Sequence, residues 1–131
     1  MSGMAARHAL LTIGLIIALM AGGRVVADQA ADRFVTGIGD LPLMSGLTED
    51  PEREIIFDKP NGRIVEVVAS GAVDAQAVGG FYDRVLRQLG WHRQTTGKRV
   101  FERDGEILSL TISAGNGQTT ISFTLAPQQQ G

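Results

Sequence analysis

A single helical pattern among strand patterns constrains the fold of this 131-residue chain more than any other feature. Between residues 74 and 89, apolar residues recur at the spacing of one α-helical face. They are Val78, Phe81, Tyr82, Val85, Leu86 and Leu89. Asp74 is placed to cap the start of the helix, and Gly90 to end it in a left-handed conformation. A lone amphipathic helix must bury its apolar face against another layer, so the rest of the chain has to supply a sheet.

Strand patterns lie on both sides of the predicted helix. Residues 54–58 and 63–70 are rich in strand formers and predict a hairpin, and the second of them is apolar on both faces, so we expect a central strand covered on two sides. Four more strands are predicted at 91–96, 99–103, 106–114 and 119–126. Asp104 and Gly105 favour a type I′ turn. The sequence therefore predicts an α+β fold over residues 53–127, with one helix packed on a curled antiparallel sheet in the order β-β-α-β-β-β-β.

The first 27 residues have the layout of a secretory signal peptide. Arg7 precedes a 15-residue apolar run at 9–23, and small residues follow it up to Ala27, where a signal peptidase would cut. We predict cleavage after Ala27 and a periplasmic mature protein. The alternative is an uncleaved segment that anchors the chain in the inner membrane through residues 9–23, which would then be its only contact with a membrane.

Residues 28–52 lack periodicity and predict an extended N-terminal arm, and residues 128–131 predict a disordered tail. Two interpretations of the apolar side chains in the arm are open. They cover one edge of the core, or they form an exposed patch that binds a partner protein. The side chains concerned are Leu41, Leu43, Met44 and Leu47.

Charge is distributed unevenly along the chain. Residues 28–83 contain 11 acidic and 4 basic residues, whereas residues 84–131 contain 6 basic and 3 acidic ones. The net negative charge of the mature chain argues against nucleic acid as a partner. One interpretation is that the acidic arm lies over the basic hairpin within one molecule. The other is that a basic face binds an envelope protein or an anionic envelope surface, through Arg84, Arg87, Arg93 and Arg99.

Few residues in the sequence have the pattern of a catalytic or metal site. Cys is absent and His92 is the only histidine after the leader, so we predict neither a metal nor another cofactor. Glu102, Asp104 and Glu106 surround a turn, which favours a solvated hairpin tip over a catalytic acid pair. We therefore predict that the protein is not an enzyme. If it were a hydrolase, His92 and Glu102 would be the polar groups to test.

Four segments share a pattern with known proteins. They are 40–47 (DLPLMSGL), 57–66 (FDKPNGRIVE), 81–91 (through Phe81, Tyr82, Leu86, Leu89, Gly90 and Trp91) and 101–108 (through Phe101, Arg103, Glu106 and Leu108). Together they resemble a group of small exported proteobacterial proteins of unassigned function. More loosely, the Phe-Tyr to Leu-Gly-Trp element is similar to the helix end of small envelope-associated domains with a helix on a sheet. The resemblance implies export and fold, and it carries over no catalytic residue.

These features together predict an exported binding or adaptor module for an envelope protein or another envelope component. A second possibility is a carrier of a small molecule or lipid, which would need a pocket between helix and sheet. Gly79 and Gly80 interrupt the apolar helix face and are where such a gap would open, although we expect these glycines to allow close packing instead. A hydrolase is the third possibility.

Overall fold

A computed structural model describes residues 33–129, so the predicted leader, its cleavage site and the end of the tail lie outside the described residues. Strands and helix follow in the order β1 (Thr48–Glu49), a short 3-10 helix (Pro51–Arg53), β2 (Ile55–Lys59), β3 (Gly62–Gly71), α1 (Ala75–Gln88), β4 (His92–Arg93), β5 (Arg99–Arg103), β6 (Glu106–Gly115) and β7 (Gln118–Pro127). The strands form one antiparallel sheet in the order β1-β3-β7-β6-β5-β4, and β2 pairs with β3 on the same side as β1. The α+β class, with a helix on an antiparallel sheet, is confirmed.

The helix α1 begins and ends at the predicted caps. The side chain of Asp74 accepts a hydrogen bond of 2.9 Å from the N–H of Ala77. At the other end Gly90 has a φ of +86°, and the N–H of Trp91 donates to the carbonyl of Leu86 at 2.9 Å. This arrangement is a Schellman motif, which satisfies carbonyl groups of the last turn and directs Trp91 back towards the helix.

The strands match the predicted ones closely, with two differences among residues 33–129. β1 is an additional strand of two residues, and the strand predicted at 91–96 is reduced to β4. The hairpin turns after β5 and β6 are type I′, since Asp104 and Gly105 have φ values of 50° and 78° and Asn116 and Gly117 have values of 54° and 74°. Local turn chemistry therefore fixes the register of the last three strands.

The core lies between one face of the sheet, α1 and the segment that precedes β1. From β3 it takes Val65, Val67 and Ala69. On the opposite face of the same strand only Val68 is buried, whereas Glu66 is exposed. The expectation that both faces of this strand are covered is therefore wrong within the described residues. β3 is central because β7 pairs with it on one side and β1 and β2 on the other, and a second layer is not needed for that.

The segment 33–47, which we call the arm, is part of the core rather than an extended appendage. Its backbone turns repeatedly, with the N–H of Ile38 bonded to the carbonyl of Val35 and the N–H of Leu41 to that of Ile38, both at 3.0 Å. Five side chains of the arm are at most 5% exposed: Val35, Ile38, Leu41, Leu43 and Leu47. The prediction of an extended arm before a domain that starts at residue 53 is therefore corrected, because these side chains complete the core.

The same burial decides between the two interpretations of the apolar residues in the arm. Leu41, Leu43 and Leu47 are buried, and Met44 is half-buried against the core. They cover an edge of the core, as the first interpretation expects. The alternative of an exposed patch is corrected, because three of these four side chains are buried and Met44 packs against the core.

Tyr82 fastens the arm to α1 from inside the core. Its hydroxyl accepts a hydrogen bond from the N–H of Met44 and donates one to the carbonyl of Pro42, both at 3.0 Å. Burial raises the pKa of Tyr82 to about 12, so the hydroxyl keeps the proton that it donates. Two backbone groups of the irregular arm thus find partners in the helix.

The arm also runs directly against the end of β3. A Cβ atom added at Gly71 would collide with the carbonyl oxygen of Gly46, a backbone atom that cannot move aside alone. We expect Gly71→Ala to lower the free energy of unfolding by about 1–3 kcal/mol, because the arm has to shift away from the strand. Gly115→Ala is the matched control, since a Cβ there meets nothing within 4 Å. Urea unfolding of both variants checks this, and equal losses of stability would contradict it.

Candidate functional site: an arginine cleft

A cleft opens near the edge of the sheet, between the second half of α1 and strands β4 and β5. Its volume is about 280 Å³, and its lining consists of Asp83, Arg87, Trp91, His92, Arg93 and Phe101. Trp91 and Phe101 are buried and give it an apolar base, whereas Arg87 and Arg93 are exposed. We call this feature the arginine cleft.

Asp83 is the carboxylate at the centre of the arginine cleft. Arg99 donates two hydrogen bonds to it, at 3.2 and 3.3 Å. The Nη1 atom of Arg93 lies 3.6 Å from the same carboxylate, and its Nε donates to the carbonyl of Lys98 at 3.3 Å. One negative charge is therefore shared by two guanidinium groups, so the pair of arginines keeps a positive excess.

The guanidinium of Arg99 lies against the helix at Gly79. A Cβ atom added at Gly79 would collide with that group, whereas the nearest atom to one added at Gly80 is Nη1 of Arg84, 4.0 Å away. The structure therefore shows close packing at Gly79, where the neighbour is the side chain of Arg99 on β5. The gap that a small-molecule carrier would need at this point is filled by Arg99.

Of the two helix arginines singled out from the sequence, Arg87 lines the cleft and Arg84 does not. Arg84 donates a hydrogen bond of 3.3 Å to the carbonyl of Gly80 in its own helix. Within residues 33–129 neither arginine forms an ion pair with a carboxylate. The structure therefore brings Arg87, Arg93 and Arg99 together with Asp83, whereas Arg84 lies beside Gly80 and does not line the cleft.

Arg103 has a different role, which charge counting along the sequence did not reveal. It bonds to Asp40 of the arm at 2.6 and 3.3 Å and to the carbonyl of Leu89 at the end of α1 at 2.9 Å. Its guanidinium also lies 4.5 Å from the ring centre of Trp91. The interpretation that the acidic arm contacts the basic hairpin holds for this residue, which joins arm, helix and sheet.

The hydrogen bond from Arg103 holds the pKa of Asp40 below its usual value of 3.8. A carboxyl group whose pKa is lowered in the folded state stabilises the fold above its unfolded pKa, and this contribution is lost as the pH falls through the folded pKa. We expect Asp40→Asn to cost less than about 1 kcal/mol at pH 7, since the pair is partly exposed. Urea unfolding between pH 6 and pH 2 measures this. The difference in the free energy of unfolding between wild type and Asp40→Asn should disappear below pH 3.8.

Asp104→Asn is the control for this pH dependence. The carboxylate of Asp104 is 4.0 Å from Nε of Arg103, but its side chain is 90% exposed. Its removal should leave the stability unchanged at every pH. A gap between wild type and Asp40→Asn that stays constant down to pH 2 would contradict the role given to the Arg103 pair.

His92 and Glu102, the candidate groups for a hydrolase, lie opposite each other on β4 and β5. His92 is exposed, and no serine hydroxyl among residues 33–129 is hydrogen-bonded to it. In the same part of the chain no three His, Cys, Asp or Glu side chains are grouped as a metal ion requires. None of the described residues belongs to a helix of the length and apolar character that crossing a membrane takes.

Comparison with protein-family models, with curated proteins and with solved structures gives no match for this chain.

Proposed function

We propose that this protein is an exported, non-catalytic binding module that holds an acidic segment of an envelope protein in the arginine cleft. The observation that carries the proposal is the excess of positive charge there. Asp83 is shared by Arg93 and Arg99, and Arg87, which lines the cleft, has no carboxylate partner within residues 33–129. A carboxylate brought by a partner would supply what these side chains lack.

The shape of the cleft supports a protein segment over a lipid surface. A concave site of about 280 Å³ with a buried aromatic base accommodates one or two carboxylate side chains, whereas a flat bilayer surface would contact only its exposed rim. Guanidinium groups bind carboxylates with two parallel hydrogen bonds, so Arg87 and Arg93 are suited to orient such a side chain.

The leader pattern supports export and the periplasmic location. Cleavage after Ala27 and the resemblance to small exported proteobacterial proteins are part of this proposal. A carrier function has less support, because Arg99 fills the space at Gly79. The hydrolase alternative rests on His92 and Glu102 alone, with no nucleophile bonded to them among the described residues.

Charge reversal in the cleft tests the proposal. The probe is a fluorescein-labelled peptide of eight glutamates, and its binding is followed by anisotropy at increasing salt. We expect the wild type to bind it with an affinity that falls as salt screens the charges, and Arg87→Glu with Arg93→Glu, which changes both arginines that line the cleft, to weaken binding by at least about tenfold, equivalent to about 1.4 kcal/mol.

A second double variant separates the cleft from net charge. Arg33→Glu with Arg53→Glu makes the same change in charge at exposed residues outside the cleft, and it should keep most of the affinity. Equal losses in the two double variants would contradict a specific site. If the protein bound phosphatidylglycerol vesicles but not the peptide, the partner would be a lipid surface, and the proposal of an acidic protein segment would be contradicted.

A further inference from the structure

A second surface has the features of a strand-docking site. It lies at β2, at the other edge of the sheet from the arginine cleft. Three consecutive large apolar residues of β2 are exposed: Ile55 at 48%, Ile56 at 46% and Phe57 at 44%. β2 pairs with β3 on one side, and no strand among residues 33–129 pairs with its other side. Alternate backbone N–H and C=O groups of β2 therefore face outward without a strand partner in the part of the chain that the structure describes.

Other strand ends of this sheet are protected in the ways that natural edges are. β4, at the far edge, is two residues long and consists of His92 and Arg93. On the β2 side, the 3-10 helix Pro51–Arg53 interrupts the edge between β1 and β2. β2 has five residues, and the first three of them are exposed apolar side chains, so charged residues protect only its end, at Asp58 and Lys59.

The two faces of β2 differ in chemistry because side chains alternate along a strand. Ile55 and Phe57 lie on the open face of the sheet, where their partners on β3 are Glu66 and Ile64. Ile56 faces the core side, opposite Val65. Its neighbours along that side are acidic.

These acidic neighbours are Glu54 and Asp58, two residues before and two residues after Ile56. Neither forms an ion pair within residues 33–129. Arg63, which lies across from Asp58, is bonded instead to Glu106 and to the carbonyl of Gly37. The core side of the edge is therefore negatively charged, whereas its open side carries Ile55 and Phe57, with the ammonium of Lys59 5.6 Å from the centre of the Phe57 ring.

We infer that β2 binds an extended segment of a partner protein that alternates basic and apolar side chains, which adds to the sheet as a further strand. The basic side chains lie beside Glu54 and Asp58, and the apolar ones beside Ile55 and Phe57. A second copy of this chain fits poorly. Residues opposite each other in an antiparallel pair share a face, so the β2 of a second copy would add Glu54 and Asp58 to the core side and no basic side chain that complements them.

The test uses the full chain and a seven-residue peptide of alternating lysine and valine, KVKVKVK, with blocked ends. We expect the peptide to bind and to slow amide hydrogen exchange in residues 55–59, because added strand pairing covers their outward N–H groups. The same peptide with proline at its centre should bind at least about tenfold more weakly, since proline removes a backbone donor from the strand. Binding without protection of residues 55–59 would overturn the proposal.

Two double variants examine the two faces separately. Ile55→Thr with Phe57→Thr keeps strand propensity at exposed positions and should weaken KVKVKVK binding by at least about tenfold. Glu54→Lys with Asp58→Lys should lose KVKVKVK and gain the acidic peptide EVEVEVE. Unchanged affinity for KVKVKVK in either variant would overturn the proposal.

The same measurements also show whether something else occupies the β2 edge. A concentration-dependent dimer that Ile55→Thr with Phe57→Thr abolishes would show that a second copy pairs at β2. Protection of every amide in residues 55–59 in the free monomer would show that another segment of the chain already covers the edge. Either result would overturn the inference of a basic partner segment.

Discussion

A chain that begins at Arg53 is expected to show no cooperative unfolding transition. It lacks the five buried side chains that the arm contributes to the core. At about 2 kcal/mol for each side chain removed from the interior, the loss is of the order of 10 kcal/mol. That is comparable to the whole stability of a small domain, about 5–15 kcal/mol. Tyr82 would lose both hydrogen-bond partners of its buried hydroxyl as well.

Circular dichroism and a two-dimensional NMR spectrum of the shortened chain check this expectation, with a chain that begins at Arg33 as the control. The control keeps the arm and should give dispersed amide signals and a single urea transition. A chain beginning at Arg53 that unfolds cooperatively, with more than half the stability of the control, would show that residues 53–127 form a domain without the arm.

Trp91→Ala is expected to lower the free energy of unfolding by about 3–5 kcal/mol, the range for removing a large aromatic side chain from a core. Trp91 is 2% exposed and follows the Schellman turn that ends α1. Arg103 lies over its ring while also bonding to Asp40 and to the carbonyl of Leu89. The indole therefore supports the contact of arm, helix and sheet, and it also forms the base of the arginine cleft.

Trp91→Phe is the matched variant for this prediction. The Nε1 atom of Trp91 is buried and has no hydrogen-bond partner among the described residues, so phenylalanine gives up no hydrogen bond. We expect a loss below about 1.5 kcal/mol, which reflects the smaller ring. Urea unfolding at pH 7 measures both variants. A phenylalanine variant as unstable as the alanine variant would contradict a packing role for the ring.

Features of the fold that are encoded locally could be predicted from the sequence. The caps of α1 at Asp74 and Gly90 and the type I′ turn at Asp104 and Gly105 depend on a few neighbouring residues. The arm could not be predicted in the same way. Its turns have no period, and its burial depends on distant partners such as Tyr82.

For the candidate sites, too, local features could be predicted from the sequence and the spatial arrangement could not. Uneven charge along the chain was enough to select Arg84, Arg87, Arg93 and Arg99, but the shared carboxylate of Asp83 depends on packing of β5 against α1. In the same way, the apolar run at 55–57 predicts a strand. Its position at a free edge depends on strand order, which no local pattern determines.

The most direct test of the central claim, that the arginine cleft binds acidic groups, is an NMR titration of the isotope-labelled protein with the eight-glutamate peptide. We expect saturable chemical-shift changes confined to residues 83–87 and 91–101, which include the lining of the cleft. Shift changes spread over the surface without saturation, or confined to residues outside these two ranges, would contradict it.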